Sequence, residues 1–189
     1  VNGGRPSTGE GHFVKNPARR VALPSHARPL HNELLAKQPA IEEELESCPW
    51  NQLTLRGETG VIATGIAGLY AEEALMDLDL DHSLLRVGGY PAPKRLIRRL
   101  LEHVSRLLVV EELEPVIEEQ VLMLAGETNP SLDILGKEEH IPRWGELDLL
   151  AVKNALARMN GLEIEQRGPL PAAKMLPPRP PALCPGCSH

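Results

Sequence analysis

Between residues 60 and 156, short apolar runs alternate with amphipathic stretches, and this rhythm leaves few architectures open. The runs at 60–64, 84–87, 107–110 and 132–135 are short and almost wholly apolar, so they read as strands buried on both faces. The stretches between them repeat apolar side chains every three or four positions, as helices do. The first, at 66–76, turns Ile66, Leu69, Tyr70, Ala74 and Leu75 inward. The second begins at Pro93 and carries Leu96, Ile97, Leu100, Leu101 and Val104. The third opens at Pro115 with Val116, Ile117, Val121 and Leu124, and the last, at 147–156, carries Leu147, Leu150, Val152 and Leu156. Strands spaced by helices imply an α/β fold of three layers around a mostly parallel sheet.

Both flanks differ from this middle. Residues 1–11 are rich in Gly, Ser and Thr and read as a lead-in. A helical pattern then runs from Ser25 to about Glu46 on Leu30, Leu34, Leu35, Ile41 and Leu45. Pro29 and Pro39 predict a division into two helices, with Glu42, Glu43, Glu44 and Glu46 facing water. After Gly161, residues 168–185 hold seven of the chain's eighteen prolines, which predicts an extended connector. The expected architecture thus has a helical N-terminal extension and a Pro-rich C-terminal linker.

Composition narrows the functions. With 42% apolar residues the 189-residue chain can bury a core. Five aromatic residues are too few for a surface that stacks nucleic-acid bases, and a net charge of −6 disfavours non-specific nucleic-acid binding. No apolar run approaches the roughly 18–20 residues of a membrane helix, and the start is not signal-like. Three cysteines fit a reducing compartment, so a cytoplasmic location is expected. The chain begins with Val1 and ends two residues after a Cys-x-x-Cys, which reads as a piece of a longer polypeptide.

Four features could carry chemistry. Cys184 and Cys187, spaced by Pro-Gly, could grip one metal or cluster iron, or be two free thiols. Ser188 separates Cys187 from His189, which excludes haem attachment, and no helix-forming stretch follows to favour a thioredoxin-type dithiol. Zinc would need two further ligands, of which His189 could be one, while Cys48 is distant in sequence. The turn Ala63-Thr64-Gly65-Ile66-Ala67-Gly68 is a tight strand-to-helix connection or a partial dinucleotide fingerprint. Its first Gly is replaced by Ala63, and Val87-Gly88-Gly89 stands where a ribose-binding acid is expected. Glu111, Glu112 and Glu114 follow a strand end, either as a general base or as acids favouring the positive end of the next helix. Lys94, Arg95, Arg98, Arg99 and Arg106 form a basic cluster, read as a solvated face, as partners for the acidic helix after Pro115, or as a docking surface. His12, His26, His31, His82, His103 and His140 show no metal-ligand spacing.

Several strings together carry a resemblance. They are Phe13-Val14-Lys15-Asn16-Pro17, Leu-Leu-Val-Val-Glu-Glu-Leu-Glu-Pro at 107–115, Glu118-Glu119-Gln120-Val121, Ile134-Leu135-Gly136-Lys137, Gly145-Glu146-Leu147, and Arg-Pro-Pro-Ala-Leu-Cys-Pro-Gly-Cys at 179–187. In this order they resemble the α subunits of the indolepyruvate ferredoxin oxidoreductases, within the thiamine-diphosphate-dependent 2-oxoacid:ferredoxin oxidoreductases. Ser188 stands where that family usually has Pro.

The resemblance implies a domain plan. Residues 1–50 would be the tail of a pyrimidine-binding domain with connecting helices. Residues 51–160 would form a transketolase C-terminal-like α/β domain, 161–183 the linker, and 184–189 the start of a thiamine diphosphate-binding domain. It also implies a parent enzyme that oxidatively decarboxylates aryl pyruvates such as indolepyruvate to aryl acetyl-CoA and reduces ferredoxin. The implied cofactors are thiamine diphosphate with Mg2+ and [4Fe-4S] clusters, and the implied partner is a smaller β subunit. Cys184 and Cys187 become candidate iron–sulfur ligands. No catalytic residue is assigned and no cofactor site is complete, so the isolated chain is expected to be inactive and to bind none of these groups. The alternatives are a stand-alone nucleotide-binding module using the Gly65 turn, and an interaction domain docking through Arg95, Arg98 and Arg99.

Overall fold

The computed structural model describes residues 12–137, 139–164 and Gly168. The lead-in at 1–11, most of the linker at 161–183 and all of 184–189 lie outside the described residues. The described chain opens with one helical turn, α1 (Pro17–Arg20), and a long helix, α2 (Pro24–Glu46). It continues through β1 (Gln52–Thr54), β2 (Thr59–Thr64), α3 (Ala67–Asp77), β3 (Ser83–Val87), α4 (Lys94–His103) and β4 (Arg106–Val110). The last elements are α5 (Val116–Thr128), β5 (Asp133–Leu135) and α6 (Leu149–Met159).

The strands form one sheet in the order β1-β3-β2-β4-β5. β2 lies parallel to both β3 and β4, with Ala63 facing Arg86 on one side and Val110 on the other. β5 joins β4 in parallel, whereas β1 is an antiparallel edge strand on β3. Successive side chains of the parallel strands alternate between two cores. Val61, Ala63, Leu84, Leu108 and Val110 pack with α3 and α6, while Ile62, Leu85, Val87, Leu107 and Val109 pack with α4 and α5. The three-layer, mostly parallel α/β expectation therefore holds, and cover on both faces explains why these strands read as unbroken apolar runs. Each fully buried Val, Leu or Ile contributes about 1.5–3 kcal/mol relative to exposure.

Three expectations about faces change. On α3 the buried stripe is Ala67, Gly68, Ala71, Ala74 and Leu75, while Ile66 and Leu69 are 48% and 47% exposed. The small residues let α3 sit close to the sheet: a Cβ on Gly68 would lie 3.3 Å from the Arg86 side chain. Val116, at the start of α5, is likewise exposed.

Pro29 and Pro39 do not split α2, which runs unbroken for 23 residues. None of those residues is buried, so the carbonyls that the prolines leave without an N–H partner can bond to water. Nor do all the α2 acids face water, as the contacts below make plain.

Candidate functional site

The connections through α3 and α5 diverge: β2 leads toward β3, β4 toward β5 on the opposite side. In such sheets ligands bind where the carboxyl ends of the strands part, here between Thr64-Gly65 and Val110-Glu111. The acids predicted at this edge are all engaged. Glu111 is 4% exposed, and its carboxylate accepts the Ile117 N–H at 2.9 and 3.1 Å and the Glu118 N–H at 2.9 Å. It caps α5, where Pro115 cannot, because proline carries no side-chain acceptor. Glu112 accepts the Leu147 N–H at 3.3 Å, and Glu114 pairs with Arg143 at 2.6 Å. Glu118 accepts the Lys137 N–H at 2.9 Å.

The Lys137 ammonium, named above only as part of a string and given no role there, donates to the backbone carbonyl of Glu111 and, at 3.4 Å, to that of Pro142. Burial pushes its pKa below the ordinary 10.5, opposed by the charges of Glu111, Glu118, Glu112 and Glu114. Together these contacts clamp the β5–α6 loop over the end of β4. The arrangement is a structural lock: Glu111 acts at the helix end, whereas Glu112 and Glu114 hold the loop before α6, a role neither sequence reading gave them.

The Gly65 turn is tight. Gly65 has φ of +53°, its N–H donates to Val87 O at 3.0 Å, and Gly68 N–H donates back to Gly65 O at 3.2 Å. With Gly65 N–H committed to β3, the turn holds two parallel strands together at their carboxyl ends.

Lys94, Arg95, Arg98 and Arg106 of the basic cluster find acidic partners on three different elements. Arg98 reaches Glu127 at 2.8 Å on α5, as one reading anticipated. Lys94 and Arg95 instead meet α2: Lys94 lies 3.4 Å from Glu42, and Arg95 makes a two-pronged pair with Glu43 at 2.8 and 2.9 Å. Hydrogen bonds from Arg95 hold the Glu43 carboxyl below the usual carboxylate range. Glu46, 10% exposed at its side chain, accepts the Arg95 N–H at 2.8 Å and the Leu96 N–H at 3.3 Å, capping α4 from another helix. Arg106 pairs with Asp133 at 2.7 Å. Asn51 completes the junction, accepting the Gly88 N–H at 2.8 Å and donating to Leu45 O at 2.8 Å. The α2 acids are thus the docking end of the helix.

The histidines lie apart. His82 faces Asn160 Oδ1 at 3.1 Å, His26 faces Val21 O at 3.2 Å, and His103 faces Arg56 O at 3.3 Å. Among the described residues no group of three or more His, Cys, Asp or Glu side chains could hold a metal ion. These residues therefore do not fit a Mg2+ or cluster site. Cys48, half-buried, is a free thiol, and Cys184 and Cys187 lie outside the described residues. A groove of about 780 Å3 follows α1 and α2, and another of about 490 Å3 lies by Arg56, Asp79 and His82 at the opposite end of the sheet from the acid lock. Among the described residues no helix is long and apolar enough to cross a membrane.

No protein-family model matches the chain. Curated relatives do. The chain is 37% identical over 190 residues to the indolepyruvate oxidoreductase subunit IorA of Thermococcus kodakarensis, covering 95% of this chain and 29% of the relative. It is 36% identical to the subunit of the same name from Pyrococcus horikoshii and 35% identical to that of Methanothermobacter thermautotrophicus, again over 95% of its own length.

Over nearly its whole length this chain is similar to a segment of IorA subunits.

It spans 29–30% of the length of these IorA relatives. Among solved structures it is similar to a chain described as a split-gene transketolase, inactive β4 tetramer, with a TM-score of 0.47 and 16% identity over 59% of this chain and 43% of that one.

Proposed function

We propose that this chain is a segment of an oxidoreductase that decarboxylates aryl pyruvates such as indolepyruvate to aryl acetyl-CoA and reduces ferredoxin. Within that enzyme its α/β domain is scaffold and interface rather than catalytic centre. The observation that carries the parent's identity is the alignment of 95% of the chain to IorA subunits at 35–37% identity. The scaffold reading rests on the acid lock, because each carboxylate at the sheet's carboxyl edge holds a loop or a helix end.

In this reading 1–50 is the tail of a pyrimidine-binding domain, 51–160 the transketolase C-terminal-like domain, 161–183 the linker and 184–189 the start of the diphosphate domain. Thiamine diphosphate with Mg2+ supplies the decarboxylation chemistry and [4Fe-4S] clusters carry the electrons; Cys184 and Cys187 are candidate cluster ligands. A smaller β subunit is the partner and the cytoplasm the location. The described residues position neighbouring parts of the parent: Glu46 and Asn51 fix where α2 leaves the domain, and Glu112 and Glu114 fix the loop before α6.

The isolated chain is expected to bring about no dye reduction when incubated with thiamine diphosphate, Mg2+, indolepyruvate, coenzyme A and a viologen. Turnover above the protein-free rate would overturn the scaffold reading. A coding sequence that runs past His189 into a thiamine-binding stretch and further cysteine clusters supports the parent's identity, and a stop codon there argues against it.

A further inference from the structure

The carboxyl edge of the sheet displays apolar surface that the α/β body does not cover. Trp144 is 84% exposed, Leu113 56%, Val116 50% and Met123 59%. These side chains follow one another as a strip. The Arg143–Glu114 pair at 2.6 Å and the Leu147 N–H on Glu112 at 3.3 Å hold the loop of Trp144 beside Leu113. Val116, Glu119 and Met123 continue it along one face of α5, at spacings of three and four residues. A contiguous apolar strip rimmed by polar groups marks a contact surface.

The backbone points the same way. Leu113 has φ of +55°, a left-handed conformation that a leucine rarely adopts. Such strain persists only where the surroundings impose it, and here Glu111, Glu112 and Glu114 impose it from both sides. The lock thus holds a leucine out into solvent.

The charge on the strip is partly unspent. Glu112, Glu114 and Glu118 have partners within the chain, but Glu119 and Glu146 are exposed carboxylates with no ion pair among the described residues. The surface therefore suits an apolar segment with a few cations.

The same chain carries such a segment. From Arg167 onward it has Arg167, Lys174 and Arg179 and no Asp or Glu, and seven prolines stand among Leu170, Met175 and Leu176. Residues 169–189 lie outside the described residues. Their reach and direction fit. α6 ends at the amino end of the sheet, where Arg106, opening β4, donates to Met159 O at 3.1 Å. A Pro-rich chain extends ~3.1 Å per residue, about 60 Å from Gly161 to Pro181. That is enough to round the sheet edge at β5 and follow α5, about 20 Å long, from Met123 up to Trp144.

We propose that the Pro-rich segment 169–181 packs along this strip, with prolines 177–181 against Trp144 and Leu113. Lys174 faces Glu119 and Arg179 faces Glu146. Proline-rich chains suit exposed aromatic surfaces because they are already extended and lose little entropy on docking. The contact fixes where the chain leaves the α/β domain. It needs nothing from the rest of the parent polypeptide, so it stands or falls separately from the parent's reaction.

The 189-residue chain itself supplies the test. Trp50→Phe leaves Trp144 as its one indole. Trp144 emission is then expected to be blue-shifted and poorly quenched by acrylamide, at every protein concentration. Lys174→Glu with Arg179→Glu should move the emission to the red and raise the quenching constant severalfold, as should Glu119→Lys with Glu146→Lys. Added salt should act in the same direction. Combining the two swaps should restore the shielding, with far-UV circular dichroism showing each variant folded. A Trp144 as open to quencher in the Trp50→Phe chain as free tryptophan overturns the proposal. Shielding that develops only as protein concentration rises, or that ignores both swaps, overturns it too, since something other than this segment then covers the strip.

Discussion

Glu111 offers the sharpest test of the acid lock. Truncation to alanine removes the acceptor of two backbone N–H groups, those of Ile117 and Glu118, at a carboxylate only 4% exposed. Loss of a helix cap costs about 0.5–2 kcal/mol. Leaving a buried N–H without a partner costs about 1–3 kcal/mol more, because water cannot reach it. The two overlap, so Glu111→Ala should cost about 3 kcal/mol. Glu111→Gln keeps one oxygen and loses only the charge, at about 1 kcal/mol. The assay is equilibrium unfolding in urea followed by far-UV circular dichroism. With a slope of about 2 kcal/mol per molar for a domain of this size, the alanine midpoint should fall by roughly 1.5 M and the glutamine midpoint by roughly 0.5 M. An alanine variant within about 0.3 M of the parent chain would refute the capping argument and return Glu111 to the list of candidate bases.

Three further outcomes follow from the same contacts. Burial holds the His82 pKa below 6.5, so on acidification the unfolded chain takes up that proton first. The group's contribution is therefore present above pH 6.5 and lost as the pH falls below it. His82→Gln should flatten the acid limb of a stability-versus-pH curve, and an unchanged limb argues against it. Gly65→Ala should cost about 1 kcal/mol, the penalty of φ at +53° where nothing lies within 4 Å of the new methyl. Gly88→Ala should cost more, about 2–3 kcal/mol, because its Cβ would lie 2.8 Å from Trp50 Cβ and 2.9 Å from Trp50 O; thermal melts that reverse this order contradict the packing. Glu46→Ala, which uncaps α4, should cost about 1–2 kcal/mol and speed proteolysis of α2. The exposed Arg95→Ala change should matter less, and salt should diminish its effect; equal proteolysis rates for the two would count against the cap.

The sheet was the most legible part of the sequence, because a parallel strand covered on both faces has no solvent side to interrupt its apolar run. The expected runs at 60–64, 84–87 and 107–110 sit within one residue of β2, β3 and β4 at each end. β1 left no such trace: Gln52–Thr54 is three residues long, at an edge, with one half-buried side chain. The large apolar residues of α3 do not mark its inward face. Close helix packing selects the small residues, and Ala67, Ala71 and Ala74 are the ones at 0% exposure. The prolines of α2 misled for a related reason. Proline breaks a helix chiefly where the freed carbonyl would be buried, and no residue around Pro29 or Pro39 in α2 is buried.

The site was legible only by half, and the missing half explains what the acid string does. That acids before Pro115 favour a helix start follows from the helix dipole alone, and Glu111 obeys it. The partners of Glu112 and Glu114 lie 35 and 29 residues further along, at Leu147 N–H and Arg143. No local pattern encodes a partner at that distance; only the return of the β5–α6 loop brings it there. The role of Lys137 is illegible for the same reason, since its ammonium is anchored by backbone carbonyls, which every residue possesses. The string Glu111-Glu112-Leu113-Glu114-Pro115 was one of those by which the chain resembles its relatives, yet each of its acids holds a helix end or a loop. A motif built this way identifies a fold's joinery. It therefore speaks for the way this sheet is closed and only weakly for catalysis at its carboxyl edge.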